Sequence, residues 1–131
     1  MKQIGKYALQ VQTSLSFDET IIKVTNLLMD QGFGILTEID VKATFKSKLD
    51  VDWKSYAILG ACNPTFAYKS LQAEPHIGVL LPCNVVIWDD GEKRVVAAME
   101  PNIMGSIINN PVVKEVAGQV SKLLRNVLDA I

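Results

Sequence analysis

The sequence predicts an α+β fold: one domain, a mostly antiparallel sheet with helices on one face and small helical insertions. Three observations carry that expectation. Short apolar or alternating segments recur along the chain, an Asp89-Asp90-Gly91 turn joins two of them, and a long amphipathic stretch closes the chain. No linker or low-complexity tract divides the 131 residues, so 1–131 is assigned to a single domain.

Taken in order, Ile4 to Thr13 has Tyr7, Leu9 and Val11 alternating with polar Gln10 and Gln12, the period of a half-buried strand. Ser16-Phe17-Asp18-Glu19 matches a capping box, and Phe17, Ile21, Val24 and Leu28 behind it share one helical face. Gly32 supplies the stop, and Phe33 to Glu38 reads as a second strand. Asp40 caps a short helix with Val41, Phe45 and Leu49 on one stripe. Tyr56 to Ala61 is the third strand. Asn63-Pro64 pairs a cap with a first-turn proline and opens a helix carrying Phe66, Ala67, Ser70 and Leu71 inward. Ile77 to Trp88 reads as strand bent at Pro82, and Arg94 to Met99 as its hairpin partner. After Pro101 and Pro111, one apolar face runs through Val113, Val116, Ala117, Val120, Leu123, Leu124, Val127, Leu128 and Ile131.

Composition removes several function classes. Apolar residues make up 49%, and 13 basic against 14 acidic side chains leave a net charge of −1. That is too apolar and too neutral for a disordered chain, and it lacks the basic excess of a nucleic-acid binder. No window reaches the roughly 18 apolar residues of a membrane span. Lys6, Gln10 and Gln12 interrupt the stretch a secretory signal would need. Two cysteines are too few for a disulfide framework. A cytoplasmic location is expected, with no membrane and no nucleic-acid partner.

The chemistry-bearing residues are sparse. Gly60-Ala61-Cys62-Asn63-Pro64 and Leu81-Pro82-Cys83-Asn84-Val85 each set a cysteine and an asparagine beside a proline at a strand edge. A thiolate is a nucleophile, and the helix start after Cys62 would lower its pKa. The asparagine amides could serve an oxyanion or carbonyl. Burial as small hydrophobes, with Asn63 as cap and Asn84 as turn former, is the weightier reading. Glu38 and Asp40 lie on one side of a strand end, where paired carboxylates can supply an acid or base. Asp40 as a helix cap, with Glu38 solvated, is the weightier reading. His76, the only histidine, follows Glu74-Pro75; it is expected exposed and is the one weak metal candidate, since no partners stand at ligand spacing. Gly32-Phe33-Gly34 ends a helix and is no phosphate loop. Lys42, Lys46, Lys48 and Lys54 are interleaved with Asp50 and Asp52, which makes a solvated face.

Three stretches in order carry a family resemblance: Gly32 to Thr44, Leu59-Gly60-Ala61-Cys62-Asn63-Pro64, and Ile77-Gly78-Val79-Leu80-Leu81-Pro82-Cys83-Asn84-Val85. They resemble the prokaryotic family called domain of unknown function 302, over nearly the whole chain. The resemblance implies strand, helix, four antiparallel strands and helix, similar to the TATA-binding-protein-like fold, with helices after Asp40 and Asn63 as insertions. It implies a homodimer, no DNA binding and no established activity. It marks Glu38, Asp40, Lys42, Cys62, Asn63, Cys83 and Asn84 as motif positions.

The function is therefore unknown from sequence. The expectation is a small non-enzymatic module, homodimeric, that binds a small-molecule ligand between sheet and helices near the two Cys-Asn segments. The alternatives are an enzyme using Cys62 or Cys83 with Glu38 or Asp40, and a metal-binding protein using His76. No cofactor is assigned.

Overall fold

Local hydrogen-bond chemistry sets most element boundaries. A computed structural model describes residues 1–131. It contains strands β1 (Lys2–Ile4), β2 (Ala8–Thr13), β3 (Gly34–Asp40), β4 (Tyr56–Cys62), β5 (Cys83–Asp90) and β6 (Lys93–Met99). The helices are α1 (Phe17–Asp30), α2 (Val41–Leu49), α3 (Pro64–Ala73), α4 (Asn102–Ile107) and α5 (Pro111–Asp129), with a 3₁₀ turn over Pro75–Leu80. None is long and apolar enough to cross a membrane.

The cap residues act as expected. Ser16 Oγ accepts from Glu19 N–H at 3.2 Å, although the reciprocal bond of a capping box does not form. Asp40 Oδ1 accepts from Ala43 N–H at 2.9 Å and Asn63 Oδ1 from Phe66 N–H at 3.4 Å. At the end of α1, Gly32 N–H donates to Met29 O and Phe33 N–H to Leu28 O, the paired bonds of a Schellman stop. Gly32 takes φ +85° there, and an added Cβ would sit 3.0 Å from Asn63 Nδ2, so glycine is required twice over.

The strands form one six-stranded antiparallel sheet in the order β1-β2-β6-β5-β4-β3. Leaving out β1 and the inserted helices, the succession β2-α1-β3-β4-β5-β6-α5 is the one the resemblance implies. Alternation sends Leu9, Leu59, Ala61, Cys83, Val85, Ile87, Val96 and Ala98 to one face, where they form the core with Val24 and Leu28 of α1. Val116, Val120, Leu124, Val127 and Leu128 of α5 complete it. Tyr56, Ile58, Val86 and Trp88 point to the opposite face by the same alternation.

The structure departs from the sequence expectation in four places. The strand expected over Ile4–Thr13 is two, because Gly5, Lys6 and Tyr7 form a turn and β1 folds back on β2 with Ile4 opposite Ala8. Ile77–Trp88 is not one strand. Pro75 starts a 3₁₀ turn that ends at Leu80, Pro82 follows a cis peptide, and β5 begins only at Cys83. Helix α4 lies in the stretch read as breakers, between Pro101 and Pro111. The stripe expected on α2 is not buried: none of its residues is, and Phe45 instead meets Trp53 at 5.4 Å. That contact begins an aromatic run, with Trp53 to Tyr56 at 5.5 Å and Tyr56 to Trp88 at 5.6 Å, leading onto the second sheet face.

A buried ion pair ties the end of β6 to α5. Glu100 is buried; one carboxylate oxygen accepts from Asn102 N–H at 3.0 Å and the other from Arg125 Nη2 at 2.7 Å. Burial alone would raise the pKa of Glu100, but the bonds from Asn102, Ser121 and Arg125, with the arginine charge, outweigh it and hold the carboxyl below 4.5. A carboxyl lowered on folding stabilises above its unfolded pKa, and the contribution is lost as pH falls through the folded value. Urea titrations should therefore show Glu100→Gln weaker than the parent by about 2 kcal/mol at pH 7. The difference should shrink steadily as pH drops below 4.5; a constant difference would contradict the ionised pair.

Gly60 offers a second test. An added Cβ would overlap Thr37 Oγ1 of the neighbouring strand and stand 2.9 Å from Pro82 Cγ. Gly60→Ala should cost about 1–3 kcal/mol in the same denaturation assay, since two rigid neighbours must move.

Candidate functional site

At one end of the sheet the chain leaves β4 and enters β5 through prolines, and the space between is a cavity. Ala61 pairs with Cys83, so the next residue out on β4 is Cys62 and the preceding residue on the β5 side is Pro82. Neither proline has an N–H to extend the ladder. Asn63 and Pro64 turn the chain into α3, and Leu81-Pro82 brings it back from the 3₁₀ turn.

The cavity has a volume of about 270 Å³, and 15 of its 18 lining residues are apolar. Ala61, Cys62 and Cys83 form the sheet end; Phe66, Ala67, Ser70 and Leu71 of α3 form one wall. Val113, Val116, Ala117 and Val120 of α5 form the facing wall, with Met104 of α4 and Ile77 closing the inner end. Phe33, Leu36, Leu81 and Pro82 complete the lining, and of these Leu36 is exposed. Asn63 and Ser70 are the polar residues in the lining. The two helical walls are fastened together by Asn110. Its Oδ1 accepts from Val112 and Val113 N–H at the start of α5, and its Nδ2 donates to Ala73 O at the end of α3, 3.1 Å away.

The motif residues divide by location. Cys62, Asn63 and Cys83 meet at this cavity. Asn84 is exposed and pairs with Gly60 on the other sheet face. Glu38 and Asp40 are exposed on edge strand β3, and Asp40 is occupied in capping α2. Lys42 is exposed on α2 and shares a shallow depression with Asp40, Lys46 and Asp52, away from the thiols. His76 is exposed, its Nδ1 3.0 Å from Glu74 Oε1, and no three His, Cys, Asp or Glu side chains are grouped to hold a metal ion. The carboxylate pair and the thiols are thus two separate sets.

Electrostatics distinguish the thiols from catalytic ones. Burial pushes Cys83 up to about 11, with the neighbouring Cys62 adding to the rise. Burial also raises Cys62. The start of α3 would stabilise a thiolate, but the apolar lining opposes it more strongly. Both sulfurs are neutral at pH 7 and act as soft apolar wall.

Sequence reasoning placed Ser70, Val116, Ala117 and Val120 inward and expected a pocket near the two Cys-Asn segments, without assigning these residues to it. Leu36 and Met104 carried no local signal as lining residues, whereas Asn110-Pro111 repeats the cap-and-proline pair of Asn63-Pro64. Leu36 reaches the rim because the β3–β4 register slips between Ile35 and Thr37, a bulge that only the pairing reveals.

Comparisons with known proteins agree with this architecture. The family model described as "Domain of unknown function DUF302" matches residues 9–131. The crystal structure of an uncharacterized conserved protein DUF302 from Bacillus stearothermophilus is 28% identical, with a TM-score of 0.87. The match covers 95% of this chain and 98% of that one. No curated protein matches.

Iodoacetamide at pH 7.5 should leave Cys83 unmodified until the protein is denatured and should label Cys62 more slowly than a free thiol, as read by intact mass. Rapid labelling of Cys83 in the folded protein would show that its sulfur is neither buried nor neutral.

Proposed function

We propose that this chain, which belongs to the family Domain of unknown function DUF302, is a small ligand-binding module whose cavity takes a neutral apolar molecule. One observation carries the reading: a preformed cavity of about 270 Å³ with almost no polar lining. Ligand pockets run from about 300 Å³ upward, and an apolar cavity of about 150 Å³ holds a benzene. The space here suits a ring system of one or two rings or a short alkyl chain. Asn63 and Ser70 leave a place for a single hydrogen-bonding group on the ligand. A charged ligand is disfavoured, since nothing in the lining would compensate its desolvation.

The same reading includes a homodimer and a cytoplasmic location. Two free cysteines fit a reducing compartment. The apolar side chains left exposed around α2, Leu49 and Trp53 among them, fit self-association.

The neutral fluorophore N-phenyl-1-naphthylamine provides the test. Its emission should rise and saturate with the folded protein. Ala67→Leu and Ala117→Phe, which place carbon atoms in the cavity, should each weaken binding at least roughly ten-fold while leaving the far-UV dichroism of the parent. No saturable signal from the parent protein, or equal binding by both filled variants, would reject the cavity as the site.

A further inference from the structure

Between Phe33 and Ala57 no residue is buried, although this stretch contains all of strand β3 and all of helix α2. Every other strand except three-residue β1, and every other helix, contributes buried residues. Only Ile35 of β3 packs, partly buried, against the core, so this strand and helix gain little of the hydrophobic stabilisation that holds the rest of the fold. The stretch is nevertheless apolar: Leu36 and Leu49 are 65% exposed, Ile39 47%, Val51 45% and Trp53 40%. β3 is also the outermost strand, so one row of its backbone N–H and C=O groups has no partner in the sheet.

We propose that β3 and α2 form the contact face with a second copy of this chain, β3 pairing antiparallel with the partner's β3, and that this contact closes the rim of the apolar cavity. An antiparallel pair of identical edge strands is its own two-fold partner and needs no other sequence. Charge fits a second copy: Glu38, Asp40, Asp50 and Asp52 are balanced by Lys42, Lys46, Lys48 and Lys54, so two such faces meet without net repulsion. Five large apolar side chains stand exposed along this stretch, a start toward the about 800 Å² per partner of a stable interface.

The link to the cavity is Leu36. It lines the cavity yet is 65% exposed, and it sits at the bulge between Ile35 and Thr37 of this edge strand. Covering that edge removes Leu36 from water and replaces solvent at the cavity mouth with protein. This closure rests on the ligand-binding reading given above; the interface itself does not.

Sedimentation equilibrium at micromolar concentration, with N-phenyl-1-naphthylamine titration of the same samples, tests both parts. The full chain should sediment at twice the chain mass. Ile39→Lys and Leu49→Lys, both at exposed positions, should keep the parent far-UV dichroism, sediment at one chain mass and bind the fluorophore roughly ten-fold more weakly. A monomeric parent, or two variants that stay dimeric, would overturn the interface. Monomeric variants that bind the fluorophore as tightly as the parent would overturn the closure. A parent that binds no fluorophore would overturn the ligand reading and the closure with it, while the masses still decide the interface.

Discussion

The rest of the site depends on two prolines that lie just beyond neighbouring strands at one end of the sheet. Pro64 follows β4 and Pro82 precedes β5, and with Ala61 opposite Cys83 neither strand can continue its ladder past that point. The chain must leave the sheet plane on both sides. Asn63 directs it outward into α3, and the 3₁₀ turn returns it beside that helix. Helix α5 passes across the opening because its apolar face is already committed to the sheet core through Val120, Leu124 and Leu128. The cavity is what remains between an interrupted sheet and a helix that cannot come closer. Gly60 marks how tightly the same region is otherwise packed, with Thr37 and Pro82 both against it.

What the sequence showed plainly was what short-range chemistry decides. Ser16, Asp40 and Asn63 accept from N–H groups three residues on, and Gly32 stops α1 by a left-handed turn; each device is complete within a few residues. The strands and the β5–β6 hairpin were legible because alternation and the Asp90-Gly91 turn act locally too, though the two-residue turn falls at Gly91-Glu92 and leaves Asp89 and Asp90 in the strand. The failures share a cause. Ile77 to Leu80 is apolar enough for a strand, yet its burial is satisfied by Met104 and Val113, from segments far along the chain. Helix α4 was hidden in the same way, since only its packing against α5 shows why it forms. Of the seven motif residues, Cys62, Asn63 and Cys83 share the cavity because they flank the two prolines. Asn84 does not, because strand alternation sends it to the other face, and Glu38, Asp40 and Lys42 do not, because they sit at the sheet edge and on α2.

Two buried ionisable sets show how differently the fold treats charge. Glu100 is surrounded by Asn102 N–H, Ser121 and Arg125, and it stays ionised in spite of burial. The thiols have no such donors and stay protonated. A carboxylate in the interior must be compensated, whereas a thiol can discard its charge and behave as hydrocarbon. The polar pair fastens β6 to α5, and the neutral thiols keep the cavity apolar. The paired Cys-Asn segments therefore read as two halves of one architectural feature, a strand end beside a proline, in which sulfur supplies a soft wall.

Strand β3 and helix α2 stand apart from this core. They are held by backbone bonds to β4, by partly buried Ile35 against the core and by the contact of Phe45 with Trp53, with no fully buried side chain of their own. Segments with few buried contacts open at the lowest free-energy cost, so β3 belongs to the least stable part of the sheet. Leu36 nevertheless places the beginning of that segment in the cavity lining. A molecule in the cavity would touch this weakly supported strand, and a partner on the free edge would order the same strand from outside. On the proposed interface, linkage then fixes the sign: each event stabilises the rim conformation the other requires, and each must strengthen the other by the same factor.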